Sequence, residues 1–230
     1  MTPQWLSILA VMSLSIAGLC AVAILADTYL LGYRQPMRIM EAVWPVTALY
    51  AGPVAVWAYL RFGRPMTDRW KRRHDVDQPP DKPHWASIGL GVSHCGAGCT
   101  LGDVIAAFVV FALGLQVAGS ALIPELIGDY VLALLLGILF QYAAIAPMRK
   151  LGLRDGLIAA AKADILSLTA FEVGLFIWMI LVSTVFFTHP HLHPVEATYW
   201  FMMQIGMLLG FATAWPANVW LIRRGIKEAM

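Results

Sequence analysis

Two thiols, an imidazole and a carboxylate stand close together in "SHCGAGCTLGD", residues 93–103, as His94, Cys95, Cys99 and Asp103. On a regular helix Cys95 and Cys99 point within about 40° of each other and lie about 6 Å apart along the axis. Asp103 continues their stripe by one more turn, while His94 points about 100° away from Cys95. A pair of soft sulfur donors suits Cu(I), which accepts few ligands and prefers thiolate and thioether. An iron–sulfur cluster needs four cysteines, and a structural zinc site closes a tetrahedron for which one helix is poorly shaped. Gly89, Gly91, Gly96, Gly98 and Gly102 surround these side chains, and each disfavours helix by roughly 0.5–1 kcal/mol relative to Ala. The expectation is a broken or widened helix in which Cys95 and Cys99 share one Cu(I), with His94 auxiliary and Asp103 balancing charge. The other reading keeps the helix intact, with small residues for close packing and polar groups for interhelical hydrogen bonds.

Further soft and nitrogen donors lie elsewhere. Met203 and Met207 in "YWFMMQIGMLLG" are again four residues apart, as are Gly206 and Gly210. Over five residues this spacing resembles the thioether ladder of eukaryotic high-affinity copper transporters; the bland reading is core filler. "THPHLHP" sets His189, His191 and His193 alternately between prolines, with no Lys or Arg nearby. That suits a capture site for Cu or Zn, emptied as pH falls through about 6.5, or an ordinary solvated loop. Ionisable residues in apolar surroundings cost several kcal/mol unless they meet a partner or water. Lys162 is expected to snorkel, Asp164 stands beside it, and Glu172, about two turns further in, is expected to face a donor on another helix. Glu125 and Asp129 suit the start of the fourth span, roughly 121–146, where a helix N-terminus favours negative charge. Cys20 reads as a packing residue.

These residues need elements to hold them. The chain of 230 residues is 60% hydrophobic and 13% charged, with a mean hydropathy of +0.70, against about 25% charged in soluble domains. Its charges fall in clusters, separated by apolar intervals long enough to cross about 30 Å of hydrocarbon. The fold class is all-α: a polytopic helical membrane protein, one transmembrane domain over 1–230. Its six spans run roughly over 4–26, 38–62, 85–117, 121–146, 156–187 and 195–222, with a basic loop at 63–84. Residues 4–26 read as a retained span, because no basic stretch precedes them.

"RFGRPMTDRWKRRHDVDQPPDK" carries seven Lys and Arg, "MRKLGLR" three and "RRGIKEAM" three, while "QVAGSALIPE" and "THPHLHPVE" carry none. The positive-inside rule then puts both termini and the basic loop in the cytoplasm, around a bacterial inner membrane. Arg34 and Arg38 dissent from this scheme; Arg38 is expected to snorkel or to pair with Glu41. The bilayer is the partner these charges address, not nucleic acid, and no phosphate-binding loop points to direct ATP coupling.

"SHCGAGCTLGD", "AKADILSLTAFEVG", "YWFMMQIGMLLGF" and "PANVWLIRRGIKEAM" together resemble the signature blocks of a bacterial integral-membrane family known only as a domain of unknown function. The resemblance covers roughly residues 84–230 and implies a polytopic helical fold. It brings no activity, cofactor or catalytic residue with it. The ligand set therefore carries the functional expectation: a protein that binds or transports a soft transition metal, copper foremost, with a metal-delivery protein as partner, and more a carrier than an enzyme. A membrane thiol/disulfide oxidoreductase using Cys95 and Cys99 is one alternative. A non-catalytic subunit whose polar motif locks helices together is the other.

Overall fold

Hydrocarbon offers no water to backbone N–H and C=O groups, so apolar runs of this length satisfy them within helices. The structure, a computed structural model, describes residues 2–188 and 191–227, with the backbone alone at 147 and 148. Among these residues eight α-helices follow one another: α1 (Gln4–Tyr29), α2 (Met40–Ala51), α3 (Pro53–Ala58), α4 (Asp68–His74), α5 (His84–Leu113), α6 (Leu122–Arg149), α7 (Leu153–Leu181) and α8 (Ala197–Arg223). The described residues contain no strand, and the protein is an all-α, polytopic membrane protein. Among the described residues, five segments are long and apolar enough to cross a membrane: Gln4–Tyr29, His84–Leu113, Leu122–Ala146, Leu153–Phe186 and Ala197–Arg223.

The segment expected to be the second span, 38–62, is not a single helix. α2 stops at Gly52, whose φ of 53° and ψ of −129° suit only glycine. α3 then leaves in the reverse direction and runs on through a π-helical turn at Tyr59–Gly63. Trp44 meets Tyr59 edge-on, with ring centroids 5.6 Å apart. The same indole lies so close over Gly63 that a Cβ there would stand 2.7 Å from its Nε1. Residues so far apart in sequence meet only when the two arms are antiparallel. α2 and α3 therefore form a re-entrant hairpin about 18 Å deep by helical rise.

Contacts at its base and tip fix the hairpin. At the base, the Tyr59 hydroxyl donates to Asp27 at the end of α1 (2.7 Å), and Arg64 pairs with the same carboxylate (3.0 Å). At the tip, the Leu49 carbonyl lacks its helical donor because residue 53 is proline. Gln204 of α8 supplies the missing N–H at 2.6 Å, while its own oxygen accepts from Ser13 of α1 at 2.8 Å.

A hairpin in place of a span changes the sides. The start of α1 shares a cavity with the histidine connection, which brings Pro3, Trp5 and Leu6 beside Phe187, His191 and Glu196. The chain after α1 meets the arginine-rich connection: Arg73 donates to the Tyr33 hydroxyl (3.3 Å), and the Arg64 guanidinium stacks 3.9 Å from that ring's centre. The two ends of the described chain thus lie at opposite ends of the bundle, where the charge pattern predicted one side for both. All sixteen Lys and Arg now belong to one half, and Arg34 and Arg38 are no longer exceptions. Arg34, not Arg38, pairs with Glu41, at 2.8 Å. The two faces are hereafter the basic end and the histidine end.

The third span is one unbroken helix, α5, against the expectation of a break at its glycines. Packing accounts for them. A Cβ on Gly98 would stand 2.7 Å from Gly137 Cα, one on Gly102 would collide with the Ala133 backbone, and one on Gly96 would stand 2.9 Å from the Phe171 ring. The absent side chains let α5 and α6 cross backbone to backbone, and the dispersion attraction at that range offsets the weaker helix propensity.

Candidate functional site

α6, α7, α8 and the hairpin all pack against α5, so residues on several of its faces are enclosed. His94, Cys95, Cys99 and Asp103 are each at most 1% exposed. A regular helix thus buries all four without drawing them to one point. Cys95 and Cys99 neighbour each other on one face. Cys95 also faces Asp164 of α7, and Cys99 faces Glu172, two turns further along α7. Glu172 faces the bundle interior as expected, and the groups it meets on another helix are the Cys99 thiol and the Asp103 carboxyl. Lys162 and Asp164, close in sequence, part company: Lys162 is exposed and Asp164 fully buried.

Taken by depth, the ionisable groups form a row along the bundle. Near the basic end, Lys227 donates to the Gly91 carbonyl at 3.2 Å and lies within electrostatic reach of His94 and Asp164. The His94 ring stands 6.3 Å from that of Phe140 and faces Gln141. Cys95 and Cys99 follow, roughly 16 and 22 Å along α5 by helical rise. Glu172 and Asp103 come next, in reach of each other and of Asp129 on α6. Glu125 and Tyr199 complete the row at the histidine end. Both nitrogens of His94 and both oxygens of Asp103, Asp164 and Glu172 are buried without a hydrogen-bond partner. Asp129, read from sequence as a helix-terminus residue, is 5% exposed and joins this inner row. Its four-residue spacing from Glu125, on one face of α6, was the available signal. Nothing local marks Lys227 or Gln141.

The remaining sulfur and nitrogen donors divide between core and rim. Met203 and Met207 sit in the same apolar core as Cys95 and Cys99. The Thr100 hydroxyl donates to the Met207 sulfur at 3.6 Å, which puts this thioether beside the residue that follows Cys99. His191 and His193 line a cavity of about 100 Å³ at the histidine end, together with Glu125 and Tyr199. Their connection is ordered by the Glu196 carboxylate, which accepts from the His193 N–H at 3.1 Å, and by the Trp200 indole, which donates to the Pro194 carbonyl at 2.7 Å. His189 lies outside the described residues. Among the described residues, no three His, Cys, Asp or Glu side chains converge closely enough to hold a metal ion.

Residues 84–227 match the family model described as a domain of unknown function, DUF4396. The chain belongs to this family. The DUF4396 region takes in α5 to α8 and Lys227, and so every member of the buried row; α1 and the re-entrant hairpin precede it. No curated protein and no solved structure matches the chain.

Proposed function

We propose that the protein carries a soft transition-metal cation through a bacterial inner membrane, with Cu(I) as the ion and Cys95 and Cys99 as its ligands. The observation that carries this reading is a thiol pair one turn apart, buried in the bundle core with the Met207 thioether close by. Two sulfur ligands suffice for Cu(I), so the lack of a three-ligand cluster among the described residues is compatible with it. Carboxyl groups without a cation beside them in hydrocarbon mark cation routes; here Glu125, Asp129, Asp103 and Glu172 lead from the histidine-lined cavity to Cys99. With every Lys and Arg in the other half, the positive-inside rule turns that cavity outward, as the point of entry.

Copper stoichiometry of the chelator-free, reduced protein tests the reading. Cys95→Ser and Cys99→Ser are each expected to remove most of the bound copper, because a two-thiolate site loses its coordination with either ligand. Copper absent from the wild type, or retained in both single variants, would refute it. Helix packing is then the better account. That second reading draws on Gly98 and Gly102, whose missing side chains admit the α6 backbone, and it predicts that serine at either position is nearly neutral.

A further inference from the structure

At the basic end, the hairpin and α6 flank a cavity of about 160 Å³, with Leu90 of α5 on its wall. Most of its lining is apolar, including Met37, Met40, Phe62, Met66 and Ile145. Two cations line it as well: Lys82, just before α5, and Arg149, the last residue of α6. Among the described residues, no Asp or Glu lines it. Leu90 lies about 9 Å into α5 from His84, and Ile145 about 6 Å into α6 from Arg149, by helical rise. The charges therefore stand at the end of the bundle, with apolar wall deeper in.

The positive-inside rule accounts for basic residues at this end, but not for two of them on a cavity between helices. Lys82 is half-buried, and no ion pair holds it among the described residues. Burial pushes its ammonium below the ordinary lysine value, and an anion beside it restores the charged form. Gln35 and Trp44, on the same wall, are 6% and 2% exposed, and Gln35 Nε2 and Trp44 Nε1 have no hydrogen-bond partner. The Trp44 indole lies over Gly63, which lines the cavity too. Gln141, also on the wall, faces His94 instead. Two cations and two unmet N–H donors call for negatively charged oxygen acceptors. The apolar wall calls for a hydrocarbon part joined to them, which a free phosphate lacks. Trp44 lies about 6 Å into α2 from Met40 by helical rise, so the acceptors stand at more than one depth. A fatty-acid carboxylate offers oxygens at one depth only, whereas a phospholipid carries ester oxygens below its phosphate. Basic pockets between membrane helices are known to hold anionic headgroups.

We propose that this cavity binds the headgroup of an anionic phospholipid, its phosphate on Lys82 and Arg149 and its ester oxygens toward Gln35 and Trp44. The acyl chains run past Leu90 and Ile145. Neither cation is a copper ligand or a member of the buried row, so lipid binding and copper binding are tested separately.

The test uses the full-length protein, delipidated in detergent, titrated with phosphatidylglycerol, phosphatidylcholine or glycerol 3-phosphate and read by native mass spectrometry. Phosphatidylglycerol is expected to give one saturable adduct per chain, roughly tenfold tighter than phosphatidylcholine, which has no net charge. Glycerol 3-phosphate at the same concentrations is expected to give none. Lys82→Gln and Arg149→Gln are each expected to weaken the adduct by about tenfold, the effect of one hydrogen bond to a charged group. Arg72→Gln removes an exposed cation of α4 that does not line the cavity, and is expected to leave the adduct unchanged. Ile145→Trp fills the cavity from a half-buried wall position without altering charge, and is expected to abolish the adduct. Equal binding of the two phospholipids, an equal loss in Arg72→Gln, or an intact adduct in Ile145→Trp would each overturn the proposal. A glycerol 3-phosphate adduct as tight as that of phosphatidylglycerol would give the site to a soluble phosphate ester and overturn it too.

Discussion

A proline one turn beyond a carbonyl withholds that carbonyl's helical donor, and Gln204 stands where Pro53 leaves the Leu49 oxygen without one. Gln204→Leu keeps the volume but removes the donor. It is expected to destabilise the protein by about 1–3 kcal/mol, as an unmet buried acceptor does, seen as a lower thermal midpoint in detergent. Tyr33 offers a second reading at this scale. The Arg73 guanidinium that donates to its hydroxyl, with Arg64 and Arg69 nearby, holds the phenol below its ordinary value, because a cation favours the phenolate. Its ultraviolet titration is therefore expected to fall below about 10, and Arg73→Gln to move it back up; a midpoint unmoved by that substitution would refute the contact. Such pairs were out of reach of sequence reading. The residues of "SHCGAGCTLGD" were legible because type and spacing are local properties. Gln204 is 155 positions from its partner, and no local pattern signals so distant an acceptor.

At the scale of elements, the glycines of α5 follow the packing alternative and not the expected break. Helix propensity argued for a break, but close crossing with α6 prevailed, because packing commonly overrides a preference of less than about 1 kcal/mol. Gly102→Ala is expected to be destabilising by about 1–3 kcal/mol or more, since the added methyl meets rigid Ala133 backbone. Gly18→Ala, on α1 with nothing within 4 Å of the new methyl, is expected to stabilise by about 0.5–1 kcal/mol. Thermal midpoints of the two variants should move in opposite directions; a common direction would undo the packing account. The hairpin is hidden in the sequence for a different reason. A hydropathy window registers length and polarity but not chain direction, and residues 38–62 satisfy it. Gly52 followed by Pro53, and the discordant Arg34 and Arg38, were the marks of a reversal.

For the molecule as a whole, five helices of the described residues are long enough to cross, an odd number, so the two ends of the described chain are expected on different sides. Reporter fusions at residue 2 and after residue 193 are expected to give one compartment signal, and fusions after residues 78 and 227 the other. Matching signals at residues 2 and 78 would restore six crossings and remove the hairpin. Fold class was legible because composition and charge clustering are properties of the entire chain. The buried row was legible only in part: its α5 members and Glu172 stood out as ionisable groups in apolar sequence, whereas Asp129 had a sufficient local explanation and Lys227 sits in a polar tail. What joined them was the antiparallel stacking of α5 to α8, which sequence spacing within a single helix does not encode.

The Gln204 contact with Leu49 also orders events during synthesis. The hairpin leaves the ribosome complete by about residue 63, yet the donor that closes its tip is still some 140 residues away. At about 5–20 residues per second, the nascent hairpin waits roughly 7–28 s with an unpaired carbonyl aimed into the bilayer. During that interval the Leu49 oxygen lacks its partner, so the hairpin tip is completed only once α8 has been translated.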